Sequence, residues 1–381
     1  MNIKSLLLGS VAALAAVSGA RAADAVVVAE PEPMEYVRIC DVYGAGFYYV
    51  PGTETCLKVG GYLRYDIGVG KGGYGGLIDV TDKRDFDKTH DTYYKRARAA
   101  LELDARSETE LGTLRGYMHI NYDWDTVVNE DEDEGTRFTD TAADFGIEHA
   151  YIELGGFRVG KTDSMFSTFT GYAGNVIEDD LIAYGPFDTH QISYTFTGGN
   201  GFSAAVAVEE GNDIYTLDSY APHVVAGAGF TQGWGGVSGV VGYDAVFKEW
   251  AGKVRLDVEA TDQISLFAMV GYGSEKNISH SFYKTWNGKW AVWGGGTYKL
   301  NEKLSFNLQA SYARGSDKIR TEDGDTIARQ TAVVANVAYD VVPGFTVTPE
   351  LAWNSQRFED EAGDRHRESN WGGFLRFQRS F

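Results

Sequence analysis

Apolar and polar residues alternate with a period of two through most of this chain, from about residue 57 to its end. In residues 253–260 every even position is apolar and every odd position is charged. Residues 304–312 repeat the alternation with Ser, Asn and Gln as polar members. This pattern predicts β-strands with one apolar and one polar face. A soluble β-sandwich would alternate in the same way, so the pattern alone leaves the environment open.

Aromatic residues near the strand ends favour a membrane barrel, because Tyr and Trp form girdles at both membrane interfaces of such barrels. These residues are Tyr65, Tyr122, Trp124, Tyr194, Tyr272, Tyr298, Tyr312, Tyr339 and Trp353. The composition agrees, with 47 Gly, 23 Tyr and 20 Phe beside only 7 Pro. The mean hydropathy of −0.27 does not exclude a membrane protein, because lipid-facing and lumen-facing residues cancel in the average.

Sixteen segments carry the strand pattern, and their connections alternate in length. The segments are 57–69, 92–105, 111–124, 144–154, 157–162, 188–197, 202–210, 223–231, 236–248, 250–260, 263–274, 290–300, 303–314, 329–341, 345–357 and 369–381. Short turns such as 261–262 interleave with long connections, the first three being 70–91, 125–143 and 163–187. Short turns on one side and long loops on the other are typical of outer-membrane barrels. We therefore predict an all-β fold, a 16-stranded antiparallel transmembrane β-barrel over residues 57–381.

The first residues predict export from the cytoplasm. Lys4 supplies a positive start, residues 6–17 form a short apolar run, and residues 20–22 (Ala-Arg-Ala) form a small-x-small cleavage site. This arrangement predicts a signal peptide over residues 1–22, followed by a periplasmic lead-in over residues 23–56. The apolar run is too short to cross a bilayer as a helix, which disfavours the alternative of a retained anchor.

Charge and cysteine content narrow the possible partners. The formal net charge is −20, and removal of the signal peptide, which carries Lys4 and Arg21 but no acid, leaves a 359-residue chain near −22. Such a charge argues against nucleic acid as a partner, because phosphate binding needs a basic face. Cys40 and Cys56 are the only cysteines, and an oxidising compartment favours a disulfide between them over two free thiols.

The last strand carries a second signal for the outer membrane. Trp371, Gly373, Leu375, Phe377 and Phe381 share one parity, and the chain ends on that final aromatic residue. This resembles the terminal strand by which outer-membrane proteins are recognised for insertion, with Phe381 as the insertion signal.

Two stretches around the cysteines resemble the porin family of the Rhizobiales and related alphaproteobacteria. They are residues 37–46 (VRICDVYGAG) and 51–66 (PGTETCLKVGGYLRYD), and residues 157–164 (FRVGKTDS) and Phe381 also fit. The resemblance implies a general diffusion porin, a homotrimer whose third external loop folds inward. Its partners would be outer-membrane lipid, lipopolysaccharide and small hydrophilic solutes. Loops 70–91, 125–143 and 275–289 do not match, so surface properties are not carried over.

The long segment 163–187 is the first candidate for a pore constriction, because a loop of this length in a compact domain is usually functional. Its acids are Asp163, Glu178, Asp179 and Asp180. The alternative is a solvated external loop with ordinary acids. If the acids face the bore, their charges set ion selectivity, and we expect a weak cation preference.

The parity of the first three strands places a group of bases on the polar face, opposite these acids. They are Arg64, Arg96, Arg98 and Arg115, and further candidates are Arg158, Lys253, Arg255 and Arg376. The alternative is that some of them only neutralise carboxylates on neighbouring strands. Those carboxylates are Glu102, Asp104, Asp257 and Glu259.

Other chemistry is disfavoured by the sequence. Residues 155–162 match the phosphate-loop pattern, but they alternate as a strand and no helix pattern follows. The acidic run 129–134 lacks the spacing of a Ca²⁺ loop, so solvated acids are favoured over cation bridging to lipopolysaccharide. His119, His149 and His190 show no zinc spacing, and no serine has a nucleophile turn. We therefore expect no cofactor, no metal and no enzyme; barrel phospholipases, barrel proteases and adhesins remain the rival classes.

Overall fold

The computed structural model describes residues 39–73, 75–131, 135–274, 281–320, 326–360 and 363–381. The predicted signal peptide, the lead-in as far as residue 38 and residues 132–134 of the acidic run lie outside the described residues. Among the described residues, no helix combines the length and apolar character needed to cross a membrane.

Nineteen strands are described, and sixteen of them form one antiparallel barrel. In chain order the strands are β1 (Tyr48–Tyr49), β2 (Cys56–Gly70), β3 (Leu77–Thr81), β4 (Thr89–Thr92), β5 (Tyr94–Thr109), β6 (Gly112–Asp131), β7 (Thr136–Leu154), β8 (Phe157–Asp163), β9 (Asp188–Thr197), β10 (Phe202–Glu209), β11 (His223–Gln232), β12 (Gly235–Asp244), β13 (Glu249–Thr261), β14 (Ile264–Gly273), β15 (Trp290–Asn301), β16 (Leu304–Arg320), β17 (Thr326–Val342), β18 (Phe345–Glu359) and β19 (Arg365–Ser380). The barrel consists of β2 and β5–β19, and β19 pairs with β2 to close it. Each predicted segment overlaps one barrel strand, so the predicted 16-stranded barrel is confirmed.

The alternation in sequence becomes an alternation of faces. On β2 the apolar Leu63 and Tyr65 are exposed on the outside, whereas Arg64 and Asp66 point into the lumen. The outer face is therefore a continuous apolar surface that suits lipid, and the lumen is polar.

Several strands run further than the sequence predicts. Residues 125–131 of β6 pair with residues 136–142 of β7, so most of the loop predicted over 125–143 is a strand hairpin. Polar residues fall on both faces of this hairpin, so it lacks the alternation by which strands are recognised. The predicted loop 70–91 likewise contains the β3–β4 hairpin.

The lead-in is tied to the barrel by a disulfide between Cys40 and Cys56, which confirms that prediction and makes the free-thiol alternative wrong. A 3-10 helix (Asp41–Tyr43) follows Cys40, and β1 pairs with the start of β2. The Tyr43 hydroxyl donates to Glu108 of β5 (2.7 Å).

The end of the chain completes the seam between β19 and β2. The backbone N–H of Phe381 donates to the carbonyl of Gly61 (3.0 Å), and that of Gly61 donates back (3.2 Å). Gly61 has a φ of 148°, and a Cβ there would lie 2.1 Å from the carbonyl oxygen of Ala100. Only glycine fits beside β5 at this position without strain. The role of Phe381 in insertion stays a prediction.

Candidate functional site

The segment between β8 and β9 packs against the inner faces of five distant strands. It starts with a single helical turn, α1 (Met165–Thr168), in which the Ser164 hydroxyl oxygen accepts a hydrogen bond from the Phe166 N–H (3.1 Å). The remainder bonds to inward side chains of β13 and β15–β18. These bonds are Arg255 to the Tyr172 carbonyl (2.5 Å), Trp293 to the Ile182 carbonyl (2.7 Å), Gln309 to the Asp179 carbonyl (2.6 Å), Asn336 to the Asn175 carbonyl (3.1 Å), and the N–H groups of Ile177 and Glu178 to Glu350 (2.5 and 2.9 Å). Residues 163–187 are called the loop segment below.

A second segment, residues 281–288 between β14 and β15, also packs inside, and the sequence prediction missed it. Phe282, Tyr283 and Trp286 are at most 1% exposed and join the apolar core formed by the loop segment. The backbone N–H of Phe282 donates to Asp244 at the end of β12 (2.8 Å). The sequence analysis predicted a long connection over 275–289 but did not predict that its described part packs inside the barrel. The available signal was the run FYKTW, which has three aromatic residues in five within a predicted loop.

Glu209, at the end of β10, joins the two segments and was not a sequence candidate. Its buried carboxylate accepts hydrogen bonds from Ser164 Oγ (2.7 Å), the Met165 N–H (2.8 Å) and the Tyr283 hydroxyl (3.0 Å). Because a buried carboxylate is stabilised only when donors saturate it, this node fixes the start of the loop segment and the second segment together.

Lys253 of β13 faces inward as predicted, but it is covered. Its Nζ lies 4.6 Å from the ring centroid of Phe166 and 5.3 Å from that of Tyr184. Within the described part of the chain this amine has no hydrogen-bond partner, and Lys253 is 2% exposed. Lys253 therefore packs between β13 and the loop segment and does not face the open lumen.

The four predicted acids of the loop segment lie in different surroundings. Glu178 is fully buried, and Asp163 accepts a hydrogen bond from the Tyr172 hydroxyl (2.6 Å). Asp179 accepts one from the Tyr184 hydroxyl (2.7 Å). Burial raises the pKa of Asp179 to about 7, and the charges of Asp180 and Glu350 act in the same direction against the Tyr184 bond. Burial also raises the pKa of Asp180.

The four predicted arginines line the lumen on β2, β5 and β6, and we call them the basic wall. Three of them are paired with carboxylates: Arg98 with Asp123 (2.7 and 2.6 Å), Arg96 with Asp125 (2.9 and 3.1 Å), and Arg115 with both Asp104 (3.0 and 2.9 Å) and Glu153 (2.8 Å). Arg64 instead donates to the amide oxygen of Gln378 (2.9 Å). Neutralisation by neighbouring strands thus occurs, mostly through carboxylates that the sequence did not single out.

Two further features bear on rival chemistry. The phosphate-loop match at 155–162 is a tight turn followed by strand β8, so no helix terminus is available there for phosphate. Within the described ranges, no group of three or more His, Cys, Asp or Glu side chains is arranged to hold a metal ion.

Comparison with known proteins places this barrel in a family. Residues 24–372 match the family model described as "Porin subfamily". Porin Omp2b of Brucella suis biovar 1 (strain 1330) is 49% identical over 391 aligned residues, covering all of both chains. Among solved structures, the outer membrane channel DcaP of Acinetobacter baumannii has a TM-score of 0.64 at 19% identity, covering 87% of this chain and 99% of its own. OmpT of Vibrio cholerae, in a trimer form, has a TM-score of 0.52 at 13% identity, covering 86% and 100%.

These matches confirm the resemblance carried by the cysteine-containing stretches, and they agree with the closed barrel and its polar lumen. This chain belongs to the porin subfamily and is an outer-membrane β-barrel for passive diffusion of small hydrophilic solutes.

Proposed function

We propose that the diffusion path of this porin runs between the basic wall and the loop segment, which together form its narrowest part. The supporting observation is that the loop segment bonds to inward side chains of β13 and β15–β18, whereas the basic wall belongs to β2, β5 and β6. Charges on opposite sides of a bore produce a transverse field that orients polar solutes, and their balance sets ion selectivity.

The proposed selectivity is a weak preference for cations. Most wall arginines are matched by carboxylates, so the wall contributes little net charge. The acids of the loop segment then decide the sign, and Asp163, Asp179 and Asp180 are the members that are not fully buried.

Neutralising Glu178, Asp179 and Asp180 together, as Gln, Asn and Asn, is expected to move the reversal potential toward anions with nearly unchanged conductance. The reversal potential of the wild type should also move toward anions when the pH falls from 8 to 6. The reason is that Asp179, with a pKa of about 7, loses its charge over that range. Single-channel reversal potentials in a salt gradient measure both effects.

Asp218→Asn is the matched control, because it removes one acid from an exposed external connection where salt screens beyond about 10 Å. This variant should have the same reversal potential as the wild type. An unchanged reversal potential in the triple variant would mean that these acids do not line the bore.

We also propose how the protein is exported and what surrounds it in the outer membrane. Residues 1–22 are removed on export, residues 23–56 form a periplasmic lead-in, and outer-membrane lipid and lipopolysaccharide surround the barrel. The family indicates a channel rather than an enzyme, and we propose that transport proceeds without catalysis.

The barrel is expected to assemble as a homotrimer, a proposal supported by the trimer form of OmpT from Vibrio cholerae. Mass measurement in mild detergent should give three copies of the 359-residue mature chain, and the unboiled protein should run as a trimer. A single-chain mass would refute the trimer and leave the pore intact.

A further inference from the structure

Five rings form a continuous row on the lumen side of β2, β6 and β7. Consecutive ring centroids along the row are 6.1 Å (Tyr62 to His119), 5.7 Å (His119 to His149), 6.3 Å (His149 to Tyr151) and 5.3 Å (Tyr151 to Tyr117) apart. Ala100 stands opposite Tyr62 on the intervening strand β5, and its small side chain leaves space for Tyr62 to meet His119. These five residues are called the aromatic row.

The aromatic row lies on β2, β6 and β7, whereas the contacts of both inward segments fall on β9–β18. All five rings are partly exposed, in contrast to the covered rings of Phe166, Tyr184 and Trp293 on the opposite side. Solutes that pass the basic wall therefore meet ring faces here.

Polar groups are arranged along both edges of the row. His119 shares a hydrogen bond with Asn121 (3.1 Å), and His149 shares one with Thr162 (3.0 Å). Each bond uses one nitrogen of an imidazole, so the second nitrogen can bond a solute hydroxyl. Asn121 in turn donates to Glu148 (2.5 Å).

Guanidinium groups stack on the three tyrosine rings of the row. Arg64 lies 4.4 Å from the centroid of Tyr62, Arg115 lies 4.7 Å from that of Tyr117, and Arg158 lies 4.7 Å from that of Tyr151. Arg115 and Arg158 both bond Glu153. Arg115 also bonds Asp104, and Glu148 lies beside Asn121, whereas Arg64 bonds the neutral amide of Gln378. Because carboxylates compensate most of the charge along the row, an anionic solute gains little there, whereas a neutral solute can still hydrogen-bond to the remaining N–H groups.

We propose that the aromatic row is a binding track for neutral pyranose sugars, a specificity that rests on the diffusion path proposed above. A pyranose has a face of C–H groups, which packs on the negative face of an aromatic ring, and a rim of hydroxyls. The track offers both, with rings in sequence and hydrogen-bonding groups of each kind beside them. A specific site within a polar lumen combines apolar faces and a few placed polar groups in this way.

The test is the current through single wild-type channels with maltohexaose on one side, compared with a polyethylene glycol of equal hydrodynamic size. Maltohexaose should produce resolved current interruptions whose frequency rises with concentration, and the polymer should not. Benzoate, a planar anion, should interrupt the current less than the sugar does.

Tyr117→Ala combined with Tyr151→Ala should lower the binding constant for the sugar, obtained from the frequency and duration of the interruptions, about tenfold. This factor corresponds to about 1.4 kcal/mol. The same double change to Phe keeps the rings and should retain the sugar interruptions. Tyr122→Ala, on β6 but facing outward with 53% exposure, is the matched control and should behave as wild type. If the alanine double variant fails to insert, Tyr62→Leu supplies the same comparison at the other end of the row.

If the sugar and the polymer interrupt the current of a conducting wild-type channel equally often, the aromatic row is not a sugar-binding track. The proposed diffusion path would be unaffected by that result. Stronger interruption by benzoate would overturn the choice of neutral solutes. A wild-type barrel that inserts but does not conduct would contradict the diffusion path itself.

Discussion

Replacing Glu209 by alanine is expected to release the start of the loop segment and to give a channel of higher and less steady conductance. The carboxylate is 2% exposed and accepts from Ser164, Met165 and Tyr283. Alanine would leave these donors buried without their acceptor, at a cost of about 1–3 kcal/mol for each such group. Even about 3 kcal/mol in total would shift the equilibrium between packed and released segment by roughly a hundredfold.

Two matched variants separate this effect from a general loss of stability. Glu209→Gln keeps an acceptor oxygen, so it should give a conductance between those of alanine and wild type. Glu210→Ala removes the adjacent carboxylate, which is not fully buried, and should leave the channel unchanged. Single-channel recordings provide the measurement. Wild-type conductance and noise in an inserted Glu209→Ala barrel would show that this node does not hold the constriction.

The barrel itself could be predicted from the sequence, because every membrane-spanning strand must place apolar residues outward and polar residues inward. This constraint ends where the strands leave the membrane. The hairpin of residues 125–131 and 136–142 therefore escaped prediction, although its hydrogen bonds continue the same sheet.

The site could be predicted only in part, since parity shows which residues face inward but not which of them another segment covers. Arg64 and Lys253 have the same inward parity, yet Arg64 faces the lumen and Lys253 lies beneath Phe166 and Tyr184. Glu209 carries no local signal, because its donors come from segments 45 and 74 residues away in sequence.

The carboxylate partners of the basic wall give the second large expected effect. Changing Asp123 and Asp125 together to Asn should turn the weak cation preference into a clear anion preference. The change leaves Arg98 and Arg96 without their bidentate partners, which adds two positive charges to the lumen. A permeating ion about 4 Å from one unit charge interacts with it by about 1 kcal/mol in bulk water and by about 4 kcal/mol near a protein surface. The ratio of cation to anion permeability should therefore fall at least about tenfold.

A compensated variant tests whether net charge is the cause. Arg98→Gln combined with Asp123→Asn removes one complete ion pair, so the net charge of the wall is preserved and the reversal potential should stay near that of wild type. Asp125→Asn alone should produce about half of the shift of the double aspartate variant, because it removes one of the two carboxylates and leaves Arg96 with its longer, 3.8 Å contact with Asp123. Reversal potentials in a salt gradient, recorded at pH 8 to keep Asp179 mostly ionised, distinguish these outcomes. If the double aspartate variant and the compensated variant shift equally, wall charge does not control permeation. The selectivity of this porin would then depend on the loop segment alone.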